Sequence, residues 1–181
     1  MEMIQAIDAR KQEEVVLATH NCLEQAKRLF ARDFDLIPIN FDLKGLAAGM
    51  FRVKGKQRVI RYNPYIFAKY FEENLKLTVP HEVAHYLTDE IYGIGKLSSM
   101  GTGRVRPHGR EWQAIMHKLG VDACRTCSFD MSGLPVRKQH YHLYRCACSE
   151  HQLGSRRHNK VSRQQANYYC RKCRGLLSKA E

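Results

Sequence analysis

No stretch of this 181-residue chain approaches the roughly 20 consecutive apolar residues that a membrane-spanning helix needs, which argues against a transmembrane protein. The first sixteen residues are broken by charge too early for the apolar core of a secretory leader, so a cytoplasmic protein is expected. Internal repeats and low-complexity tracts are also missing, which argues against a solenoid or a linker-like chain. Acidic residues are scarce, with 18 Asp and Glu against 30 Lys and Arg, a net charge of +12. The shortage is local. Residues 1–100 carry 14 basic and 13 acidic side chains, whereas residues 101–181 carry 16 and 5. A polyanionic partner for the second part is the corresponding expectation.

Cysteine is plentiful by comparison, and six of the seven lie beyond residue 100. In a reducing compartment, closely spaced pairs favour metal binding over a disulfide framework. Apolar and charged fractions of 44% and 27% are those of a globular chain long enough to bury a core. The shift in charge and cysteine content divides the chain near the turn-rich Ser132–Pro135 stretch. The reading is a neutral domain over residues 1–133 and a small basic module over residues 134–181.

The first part reads as α+β. Apolar residues from Val15 to Phe30 recur at helical spacing and predict an amphipathic helix over roughly 11–33. Alternation in 36–43, followed by 47–53 and 58–62 with a Lys54-Gly55-Lys56 turn, predicts one small antiparallel sheet, with 58–62 as its edge. Asn63-Pro64 starts a helical region that runs to about Tyr92, kinked or broken at Pro80. Glycines 93, 95, 101 and 103 predict a long flexible loop before a helix from Pro107 to about Leu119.

The most informative residues are His81-Glu82-Val83-Ala84-His85, an HExxH pattern inside a predicted helix. Positions i and i+4 project from one face, so both imidazoles can reach one Zn²⁺. Glu82, beside the first ligand, is placed to take a proton from water on that ion and pass it to a leaving amine. The flanking Val79, Val83, Ala84 and Leu87 make the helix half-buried, and two histidines and a glutamate buried without a partner are costly. A third ligand must come from downstream, because the position six residues after His85 is Ile91. His108, in Pro107-His108-Gly109-Arg110-Glu111-Trp112, is the first candidate and Glu111 the second.

Cys146-x-Cys148 and Cys170-x-x-Cys173 together offer four thiolates to a structural zinc, separated by enough chain for a hairpin, with His151 an alternative to Cys146. So small a module needs a metal to supply folding energy. Cys124 and Cys127 form a further CxxC with no assigned role, and Cys22 reads as core. Arg156, Arg157, Lys160 and Arg163 lie between the cysteine pairs, near Tyr168 and Tyr169, a mixture suited to phosphates and unpaired bases.

Pro80–His85 and Pro107–Trp112, together with Tyr144–Leu153, Arg156–Asn159 and Tyr169–Cys173, resemble the bacterial SprT family, itself related to the SprT-like domain of the Spartan DNA–protein crosslink proteases. The resemblance spans roughly residue 10 to the end. It implies a minimal zincin-like metalloprotease domain with His81, His85 and His108 on a catalytic zinc and Glu82 as acid/base. A zinc-ribbon-like β module would follow. The resulting expectation is a zinc endopeptidase acting on polypeptide, with DNA or DNA-bound protein as a further partner. The alternative is a nucleic-acid-binding or regulatory protein whose metals are purely structural.

Overall fold

The computed structural model describes residues 4–99, 101, 103–123, 129–135 and 140–180. It divides into two compact units, Met1–Val136 and Arg137–Glu181. Among the described residues, no helix is long and apolar enough to cross a membrane.

The first unit opens with helix α1, Ala9–Phe30, capped by Asp8, whose carboxylate accepts from the Lys11 N–H at 2.9 Å. Val15, Thr19, Leu23 and Ala26 form its buried stripe. Three strands follow: β1 (Ile39–Asn40), β2 (Gly49–Lys54) and β3 (Gln57–Tyr62), in the order β1-β3-β2. β2 and β3 are an antiparallel hairpin turning at Gly55, whose φ of 60° suits glycine. β1 instead runs parallel to β3, with the Ile60 N–H donating to the Pro38 carbonyl at 3.0 Å.

Two expectations are corrected here. The sheet is mixed rather than antiparallel, and Arg58–Tyr62 is its centre rather than its edge. Burial differs between the central strand and its neighbour: Ile60 and Tyr62 on β3 are fully buried on one face of the sheet, while most of β2 is exposed. The strand expected over 36–43 is reduced to two residues, starting just after Pro38, which has no N–H to pair.

Asn63 caps α2 (Pro64–Lys69) by accepting from the Tyr65 and Ile66 N–H groups. Breaks at Tyr70 and Leu77 then separate α3 (Phe71–Lys76) and α4 (Thr78–Tyr92). Pro80 breaks the helix upstream instead of kinking it. Its ring excludes the carbonyl four residues earlier, at Lys76, where α3 ends. In the first turn of α4 its missing N–H would have had no helical partner anyway. Buried Asn74 stitches the joint, donating to the Tyr70 carbonyl at 2.6 Å and accepting from the Thr78 hydroxyl at 2.6 Å. α4 is the central element, buried almost all round from Thr78 to Thr88. Ile60, Tyr62, Phe67, Val83, Tyr86 and Leu87 join Trp112 and Ile115 of α5 (Arg110–Lys118) in one core.

Backbone hydrogen bonds cross the described part of the glycine-rich segment. Gly95 and Ser98 N–H groups donate to the Val105 and Gly103 carbonyls, and Val105 N–H to Lys96. Cys124 and Cys127 lie outside the described residues.

The second unit contains β4 (Tyr141–Arg145), β5 (Glu150–Gly154), helix α6 (Ser155–Ser162) and β6 (Ser178–Lys179), with antiparallel strand order β5-β4-β6. Its core is small: Tyr144, Leu153, Cys170 and Leu177. The chain between the two cysteine pairs forms β5 and then α6, not the simple hairpin expected from its length.

Candidate metal centres

α4 presents His81 and His85 one turn apart, with their Nε2 atoms 3.2 Å from each other. His108 joins them from the turn just ahead of α5, one residue before the Gly109 cap rather than inside the helix. Its Nε2 lies 3.1 Å from both. Trp112 supplies the wall behind the triad. It is fully buried, with its ring centroid 4.8 Å from those of His81 and His108 and 5.6 Å from that of His85. Its indole N–H donates to the His81 carbonyl at 3.4 Å.

The arrangement fits a zinc ion. Nitrogens bound tetrahedrally at 2.0–2.1 Å would lie about 3.3 Å apart, close to the observed spacings. In a neutral imidazole one ring nitrogen keeps a lone pair, and the Nε2 atoms of all three rings face one another. Burial, followed by the neighbouring His81 and His108, lowers the His85 pKa to about 3, which keeps the ring neutral as a ligand must be.

Glu82 is 5% exposed, and its Oε2 accepts the Phe51 N–H of β2 at 2.6 Å. Burial pushes its carboxyl up to about 8, opposed by that N–H. Gly49 makes room for it, because a Cβ there would lie 2.6 Å from both Cγ and Oε1 of Glu82. The triad and Glu82 line an open groove of about 510 Å³ whose other wall is Gly49, Met50, Phe51 and Val53. Glu111, the second candidate for third ligand, instead accepts a hydrogen bond from the Ser98 hydroxyl. Gly49, Phe51 and Trp112 were not assigned roles from the sequence. Only Trp112 carried a signal, as the chain's single tryptophan, four residues after His108.

In the second unit, one Sγ each from Cys146, Cys148, Cys170 and Cys173 lies within 4.8 Å of the others. Backbone N–H groups favour the thiolate form: that of Cys148, followed by the His151 ring, lowers Cys146 to about 5, and those of Cys173 and Lys172 lower Cys170 to about 7. His151 Nε2 stands 3.3 Å from the Cys146 sulfur, beside the four thiols. Arg156, Arg157, Lys160 and Arg163 are all exposed on or just after α6. Positions 156, 160 and 163 share one face of it.

Three imidazoles converge on one another in a groove that a buried carboxylate also lines, within a mixed α+β unit, and four thiols gather in a second unit; together they define a protein with two candidate metal centres. The sequence model of the SprT-like family matches residues 19–140, a span that contains the whole histidine cluster and ends before Cys146. Protein SprT of Vibrio parahaemolyticus is 37% identical over 159 residues, covering 87% of each chain. That of Shewanella oneidensis is 35% identical over 170 residues, 93% of this chain and 99% of its own. The Pseudomonas paraeruginosa protein of that name is 35% identical over 162 residues, 86% and 88% of the two chains. No solved structure matches. The chain belongs to the SprT-like family.

Proposed function

We propose that the protein is a zinc-dependent metalloendopeptidase of the cytoplasm, with His81, His85 and His108 holding the catalytic ion and Glu82 as acid/base. The observation that carries this reading is the convergence of three Nε2 atoms beside a buried carboxylate in an open groove. Zinc held by that triad supplies a Lewis acid that polarises the scissile carbonyl and acidifies water. The chain's own groups do the rest. The Phe51 N–H holds the Glu82 carboxylate by Oε2. That carboxylate takes a proton from the attacking water as the oxygen adds to the peptide carbon. It returns the proton to the amine as the C–N bond breaks. β2 is an edge strand and lines the groove, so an extended peptide can lie along it by main-chain pairing. Such pairing makes cleavage weakly selective for sequence.

Zinc analysis and a cleavage assay on an unfolded protein test this. Two zinc ions per chain are expected, one for each cluster. Cleavage should stop on chelation and return with zinc. A count of one, unchanged after His81→Ala and His85→Ala together, would remove the catalytic centre from the molecule.

The same proposal extends to DNA-associated protein as substrate, on the strength of the second unit. Residues 137–181 carry 11 basic side chains and 2 acidic ones. Glu150 is already paired with Arg145 at 2.9 Å. Among the described residues, none of Arg156, Arg157, Lys160 and Arg163 pairs with a carboxylate, and the Arg157 guanidinium lies 5.8 Å from the Tyr168 ring centroid. DNA affinity should therefore fall steeply with salt. Replacing Arg156, Arg157 and Lys160 with Ala should flatten the log–log slope by up to about three units. Cleavage of free substrate should persist while that of DNA-bound substrate drops. An unchanged slope would leave these side chains as an ordinary solvated face.

A further inference from the structure

We propose that Glu111 is a positioning residue whose buried carboxylate, by gripping Ser98, fixes His108 at the metal centre. This rests on the reading that the three histidines hold zinc.

Glu111 is 1% exposed, in the first turn of α5. A buried carboxylate is costly unless something is gained by holding it there. The Ser98 hydroxyl donates to its Oε1. Its Oε2 closes over the chain just after His108, since a Cβ at Gly109 would lie 3.0 Å from that oxygen. Ser98 belongs to the glycine-rich ladder, where its own N–H bonds the Gly103 carbonyl at 2.7 Å. Val105, the last rung, bonds the Lys96 carbonyl at 2.8 Å and is 2% exposed.

His108 therefore sits in the short turn 106–109, which is anchored at one end by this ladder and at the other by α5. The α5 cap itself gives no side-chain hydrogen bond. The Ser98–Glu111 bond ties the two anchors together and so limits where the turn can carry the imidazole. His81 and His85 need no such device, because both ride on the buried α4. Groups that orient metal ligands typically change affinity by 10–100-fold when removed.

Competition between the full-length protein and a chelator for zinc, together with the visible spectrum of the Co²⁺-substituted protein, provides the test. The double His81→Ala, His85→Ala variant supplies the baseline of the cysteine site. Ser98→Ala and Glu111→Ala should each weaken zinc at the histidine site about 10–100-fold and alter the cobalt spectrum. Glu111→Gln keeps an oxygen for the Ser98 hydroxyl and should restore both. The metal-free Ser98→Ala protein should melt close to the metal-free parent. Parental zinc affinity in Ser98→Ala overturns the proposal, as does a Gln variant no better than the Ala variant, or a zinc loss matched by lost metal-free stability. If the parent protein holds no more zinc than the double-histidine baseline, the zinc reading itself fails.

Discussion

Replacing Glu82 with glutamine is expected to leave two zinc ions per chain and to lower peptide cleavage by at least ~10²-fold. Glutamine keeps the side-chain shape, and its carbonyl oxygen can still accept the Phe51 N–H. The amide cannot take a proton from water, so only the acid/base step is removed. Gly49→Ala provides an independent arm. Its new methyl group would meet Glu82 Cγ and Oε1 at 2.6 Å and Thr78 Cγ2 at 2.8 Å, so the carboxylate must move. Overpacking of this kind costs about 1–3 kcal/mol of stability, which a core of this size tolerates. The expected result is a fall in kcat with zinc retained and helix content unchanged. Parental cleavage by Glu82→Gln would refute the acid/base role. It would also favour the rival in which both metals are purely structural.

Zinc chelation is expected to unfold the second unit and spare the first. Four residues, Tyr144, Leu153, Cys170 and Leu177, make up the buried core of the second unit, and one of them is itself a candidate ligand. So little apolar burial cannot offset the conformational entropy of the roughly 45 residues it orders, at about 1.5 kcal/mol each. In such modules the metal-binding free energy is the folding free energy. The first unit instead buries a continuous core around α4, from Val15 of α1 to Met116 of α5. Amide hydrogen exchange distinguishes the two. With chelator, the Leu143 and Tyr144 amides should lose protection while those of Val83 to Leu87 keep it. Persistent protection in β4 without zinc would show that the module folds by packing alone.

Several of these features were legible in the chain before any fold was known, and they share a property. The HExxH histidines are one helical turn apart, so their common face follows from local geometry. The boundaries of α1 moved by only two or three residues because its apolar stripe is long and regular. The charge division and the cysteine pairs are matters of composition and short spacing. Errors arose where a choice depended on distant chain. Alternating apolar residues marked strands but could not order them, because which strands pair depends on segments distant in the chain, and β3 took the centre. Pro80 marked a disruption, yet its position relative to the break depended on where α4 could begin.

Sequence alone therefore determined the candidate ligand types, the helical pairing of His81 with His85, and the separation of a basic, cysteine-bearing segment from a neutral one. Tertiary structure decided which downstream group meets them. It brings His108 to His81 across 27 residues and Phe51 to Glu82 across 31, and it turns Glu111 towards Ser98 instead. It also made Gly49 a requirement and Trp112 a wall, roles that no local pattern expresses. The physical reason is range. Helical and strand periodicities report on neighbours within a few residues, whereas a site assembled from β2, α4, a glycine-rich ladder and α5 is held by contacts that arise only when the core closes.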